Sequence, residues 1–170
     1  MKENKLGIKP IIINALIVAL AFIIQYNGVF SIKIGLANPM LILCVSLAFA
    51  MFSGELESVI FALITGMITD GAASTPICFN TLTFMLISLA VSLTVHYLFN
   101  NNIRSAIAIG IIGSAIYYLI RFAVCIPKQS LENSVGYLLR YALPSVIYTA
   151  AFIIPMFFIE KALFQKSRVR

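Results

Sequence analysis

The chain has 170 residues, of which 61% are hydrophobic and 11% charged. A soluble domain has about a quarter of its residues charged, so this composition excludes a water-exposed globular domain, and the surface without charge must face lipid. The net charge of +6 sits mostly at the two ends; it argues against a nucleic-acid-binding face and reads as an orientation signal at an anionic membrane surface.

Six apolar segments follow one another: Pro10–Tyr26, Ala37–Phe52, Ser58–Asp70, Pro76–Phe99, Ile103–Ile126 and Gly136–Ile159. No linker or charged tail separates them, which predicts an all-α, polytopic six-helix bundle in a single transmembrane domain over residues 1–170. The first segment follows Lys2, Lys5 and Lys9 and imitates a secretory signal, with Ala19-Leu20-Ala21 as an A-x-A site. Its apolar run continues through Phe22-Ile23-Ile24, where a polar cleavage region belongs, so it is expected to stay as a membrane helix. The second and third segments are short. Ser58–Asp70 covers only about 20 Å of a roughly 30 Å hydrocarbon core. Either it continues through Gly71–Thr75, or the backbone breaks at depth against neighbouring protein. The last three segments are long enough to span, with Pro144 and Pro155 expected to kink the sixth.

Counting Lys and Arg places eight on the side of both termini (Lys2, Lys5, Lys9, Arg104, Lys161, Lys166, Arg168, Arg170) against four on the other (Lys33, Arg121, Lys128, Arg140). Both termini are therefore expected in the cytoplasm. The turn at Gly54 is then cytoplasmic and acidic. Cys44, Cys78 and Cys125 show no metal-ligand or redox spacing and read as small apolar residues buried in helices, with a Cys78–Cys125 bridge as the alternative.

Asp70 is the first candidate for a functional residue. An acidic group at membrane depth costs about 2.5–3.5 kcal/mol even on mild insertion scales, so it is expected to face the bundle and find a partner. Arg121 and Arg140 lie at similar depth, which predicts a charge-paired cluster; the alternative has both arginines snorkelling to the interface while Asp70 sits in a wet loop. Gly71 is placed for a left-handed helix cap. Thr75-Pro76 reads as a helix start, and the Asn80 amide is expected to bond backbone groups exposed at the break after Asp70. Ser88, Ser92 and His96 share a face in the fourth segment, read as small-residue packing ahead of a proton path. In the fifth, Ala106, Gly110 and Ser114, with Gly113 beside them, form a face of small residues suited to close contact with a partner helix. There is one His, one Asp, no GxSxG or HExxH pattern and no carboxylate cluster for a metal. No catalysis, metal or cofactor is expected.

The middle of the chain is similar to a known family. Asn38-Pro39 opens a Leu/Ile/Val helix, Ser53-Gly54 makes a turn, and Gly66, Asp70-Gly71, Pro76 and Asn80-Thr81-Leu82 follow in order. These residues, with Leu143-Pro144 and Tyr148, resemble the MreD family of the bacterial rod-shape (elongasome) complex. Its pattern is approximately P-x-L-L-L, a glycine turn, G-x-x-x-D and P-x-G-x-N. Cys78 stands where the pattern prefers glycine, and Glu55 and Glu57 stand where basic residues are common. The resemblance implies a non-enzymatic scaffold in the bacterial cytoplasmic (inner) membrane, in contact with lipids. It further implies binding of the bitopic protein MreC and, through it, RodA, a class B penicillin-binding protein and MreB, in support of sidewall peptidoglycan synthesis. A chain of this size and architecture also resembles the substrate-binding S component of an energy-coupling-factor vitamin transporter. That alternative requires an enclosed pocket for a small molecule.

Overall fold

The computed structural model describes residues 8–26, 39–73, 78–97, 102–125 and 142–168. These form six helices and no strand: α1 (Ile8–Tyr26), α2 (Leu41–Phe52), α3 (Glu55–Ala72), α4 (Phe79–Tyr97), α5 (Ile103–Cys125) and α6 (Leu143–Arg168). Three, in α4, α5 and α6, are long and apolar enough to cross a membrane, while α1 and α2 contribute shorter apolar helices.

The short α2 is the hub. Its 12 residues rise only about 18 Å, too little to span. Leu41 to Met51 are buried without exception, as expected of a helix that is hydrophobic all round. It touches each of the other five helices. A helix start buried in this way leaves N–H groups that neither water nor lipid can satisfy. Side chains of neighbouring helices satisfy two of them: Met40 N–H donates to Thr149 Oγ1 of α6 at 3.3 Å, and Ile42 N–H donates to Gln25 Oε1 of α1 at 3.3 Å. The Cys44 thiol donates to the Thr149 carbonyl at 3.1 Å.

The third helix is longer than its apolar segment. It begins at Glu55, with Gly54 N–H donating to Glu57 Oε2 at 3.4 Å, and two carboxylates in its first turn favour the positive helix end. It then continues to Ala72. Leu56, Ile60, Leu63, Ile64, Met67 and Ile68 are exposed, whereas Ser58, Ala62, Thr65, Gly66 and Thr69 are buried. Large apolar groups outside and small or polar groups inside is the pattern of a helix that faces lipid and packs closely within. Gly71 lies within the helix, not at a left-handed cap: the helix ends at Ala73, in extended backbone (φ −94°, ψ 142°) with its N–H bonded to the Thr69 carbonyl.

The faces read as packing surfaces are used inside the chain. Ser88 and Ser92 are buried, with the Ser88 hydroxyl donating to the Ser58 carbonyl at 3.3 Å, and His96 is exposed. Ala106 and Ser114 are fully buried. A Cβ on Gly110 would lie 2.8 Å from Ile153 Cγ2 of α6, and one on Gly113 would lie 3.1 Å from Leu47 Cδ1 of α2. The helices that the small-residue face of α5 receives are therefore α6 and α2 of the same chain. A separate protein's helix cannot occupy this face while they fill it. α6 itself runs on through Pro155.

Candidate functional site: a polar network across three helices

Gly66 sets the geometry of this network. A Cβ there would meet Thr81 Cα at 2.5 Å and Thr81 N at 2.9 Å, backbone atoms that have no rotamer to retreat into. Only glycine lets α3 approach the first turn of α4 so closely. One turn later on the same face, Asp70 meets the unsatisfied amides of that turn. Its Oδ1 accepts from Asn80 N–H and from Asn80 Nδ2, both at 2.9 Å. Its Oδ2 accepts from Thr81 N–H at 2.9 Å and from the Thr81 hydroxyl at 2.6 Å. The carboxylate is thus an N-terminal cap for α4 supplied by α3, favoured by charge-assisted hydrogen bonds and by the positive end of the helix.

Asn80, fully buried, passes the network onward. With its Nδ2 committed to Asp70, its Oδ1 accepts from the Tyr117 hydroxyl of α5 at 2.8 Å. The Tyr117 oxygen in turn accepts from Arg121 Nη1 at 3.4 Å. Tyr117 is itself fully buried, its ring against Phe79 and Phe84 at centroid distances of 6.3 and 5.7 Å. Asp70 and Arg121 are therefore joined, but through Asn80 and Tyr117, where a direct ion pair was expected. The physical reason is the supply of donors: two backbone N–H groups and two side chains at the start of α4 surround the carboxylate and compensate its desolvation. Arg140 and Pro76 lie outside the described residues.

Cys78, the position where the family pattern prefers glycine, precedes α4 with φ 62°. That left-handed backbone is one that glycine adopts freely and a residue with a Cβ does not. Cys44 is a buried free thiol, as expected, whereas Cys78 is a free thiol exposed ahead of α4 and not buried in a helix; the side chain of Cys125 lies outside the described residues. Gly54 needs no special conformation (φ −69°) and serves only as the helix-start residue.

A second buried polar contact lies toward the other end of the bundle. Asn14 Nδ2 of α1 donates to Glu160 Oε2 of α6 at 3.3 Å, both residues being almost wholly buried. Sequence reasoning missed this pair and Tyr117. The available signals were an Asn inside the first apolar run, a Glu directly after Phe157-Phe158-Ile159, and a Tyr one turn before Arg121.

Chemically, this arrangement holds helices together. Among the described residues there is no group of His, Cys, Asp and Glu that could hold a metal ion. The cavity between α4 and α5, about 350 Å³, is a groove lined chiefly by Leu, Ile, Val and Ala, unlike the enclosed vitamin pocket that the transporter alternative requires.

The family model described as rod shape-determining protein MreD matches residues 7–167. No curated protein and no solved structure matches the chain.

Proposed function

The chain belongs to the MreD family of rod shape-determining membrane proteins, and from that premise we propose that it acts as a non-enzymatic membrane scaffold of the cell-elongation complex. In this reading it binds MreC and, through it, RodA, a class B penicillin-binding protein and MreB, and so supports sidewall peptidoglycan synthesis. It sits in the bacterial cytoplasmic membrane with both termini in the cytoplasm.

The match across residues 7–167 carries the proposal. Two physical observations support it. Side chains of the interior fasten helices to one another at Asp70, Asn80, Tyr117 and Arg121 and again at Asn14 and Glu160. Exposed apolar side chains on α1 and α3, such as Leu16, Leu20, Ile60 and Met67, offer surface to lipid and to other membrane helices. With the small-residue face of α5 occupied internally, the MreC helix is assigned to an outward face. The test is purification of the tagged protein from native membranes of a rod-shaped bacterium. Recovery of MreC with it is expected; recovery of a transporter's energising module without MreC would refute the reading.

A further inference from the structure

Between α4 and α5 the bundle is open. Leu86, Ala90 and Val91 form one wall of the 350 Å³ groove and Ile109, Ile112 and Ile116 the other. One end of it carries two hydroxyl residues, Thr94 and Ser105. Ser105 lines the groove, and its hydroxyl oxygen is buried without a hydrogen-bond partner, although the residue is only 7% exposed. Thr94 and Ser114 of the same two helices, by contrast, return their hydroxyls to the carbonyls of Ala90 and Gly110 one turn back. Such an orphan beside an open groove calls for a partner from outside the chain, which a turn of the serine rotamer would bring within reach.

The surroundings specify the charge of that partner. α5 begins here: its first intrahelical bond runs from Ala106 N–H to the Asn102 carbonyl, so the amides of Ile103, Arg104 and Ser105 stand at the positive end of a 23-residue helix. Arg104 is exposed beside them. Amides, a hydroxyl and a guanidinium at a helix start suit an anionic phosphoryl group. The apolar walls suit a hydrocarbon chain. The lining runs from Leu86 to Thr94 on α4 and from Ser105 to Ile120 on α5. At 1.5 Å per residue these rise about 12 and 22 Å, bracketing the roughly 15 Å of hydrocarbon in one leaflet.

We infer that the α4–α5 groove is a binding site for an anionic phospholipid, with its phosphate at Arg104, Ser105 and the α5 N-terminus and an acyl chain along Ile109 to Ile116. A transmembrane helix laid in the same groove would leave the Ser105 hydroxyl against apolar side chains; the lipid satisfies it. The inference does not rest on the proposed protein partners.

Native mass spectrometry of the full-length protein in mild detergent, with added dioleoyl phosphatidylglycerol or dioleoyl phosphatidylcholine, tests it. The protein should retain phosphatidylglycerol in preference to phosphatidylcholine, and inorganic phosphate should not displace it. Arg104→Gln should reduce retention about tenfold, the scale of a lost charge-assisted hydrogen bond. Ala108→Phe, which fills the groove from an exposed position, should reduce it as much, while Leu63→Phe on the lipid-facing side of α3 should not. Ala90→Phe repeats the filling from the opposite wall should Ala108→Phe fail to fold. Equal retention of the two lipids, or undiminished retention in folded groove-filled variants, would overturn the site. So would a photoreactive side chain at Ile112 that captures a polypeptide instead of lipid in native membranes.

Discussion

Gly66 brings α3 so near to Thr81 that a methyl group in its place would stand 2.5 Å from the Thr81 Cα. That approach allows Asp70, one turn on, to take four hydrogen bonds from Asn80 and Thr81. The glycine and the aspartate of the G-x-x-x-D pattern are thus parts of one device. The first admits the backbone of α4, and the second caps it.

Gly66→Ala should accordingly destabilise the protein by about 1–3 kcal/mol, the usual range for overpacking. Gly71→Ala, where an added Cβ meets nothing within 4 Å, should be neutral or slightly stabilising. Thermal unfolding of the two variants in detergent checks the contrast.

Asp70→Asn replaces one carboxylate oxygen by an amide that cannot accept from Thr81 or Asn80. A loss of about 1–3 kcal/mol is expected for groups left unsatisfied. Glu57→Gln, on the partly exposed first turn of α3, should stay within about 0.5 kcal/mol. Equal effects of the two on abundance and unfolding would contradict the capping role.

Tyr117→Phe keeps the ring against Phe79 and Phe84 and removes only the hydroxyl that joins Asn80 to Arg121. It should cost about 1–3 kcal/mol. Combined with Asp70→Asn it should cost less than the sum, because both sides of the cycle share Asn80. Strict additivity of the two would show that no network links α3 to α5.

Cys78→Gly should stabilise. The left-handed backbone costs a residue with a Cβ about 1–2 kcal/mol, more than the roughly 0.4–1 kcal/mol of added freedom that glycine gives the unfolded chain. Cys78→Ala removes the thiol and keeps the strain, so its unfolding midpoint should not rise. A rise in both would assign the effect to the thiol.

Labelling of cysteines introduced at either terminus and at Ser130, in intact cells, checks the orientation inferred from eight basic residues against four. A membrane-impermeant reagent should reach the Ser130→Cys variant only. Labelling of a terminus would reject an even number of spans with cytoplasmic ends.

The order and number of the described helices were legible because lipid selects apolar runs directly. Their bounds were less so: hydropathy stopped α3 short of Glu55, since a charged first turn is helical without being apolar. The small-residue spacing at Ala106, Gly110 and Ser114 announced a close contact but carried no information on which helix makes it, and Ile153 of α6, which meets Gly110, is 43 residues away in sequence. Asp70 and Asn80 stood out as polar groups in an apolar setting. Tyr117 did not, because tyrosine in a membrane helix ordinarily reads as an interfacial anchor. Glu160 fell just past the last apolar run, and its contact with Asn14 joins the first helix to the last, a pairing beyond any local pattern.

Depletion of the protein in a rod-shaped bacterium, followed by microscopy of cell width, tests the central claim most directly. The scaffold reading predicts cells that widen and become round as the protein is lost. Depleted cells that keep their rod shape while ceasing to accumulate a vitamin would contradict it.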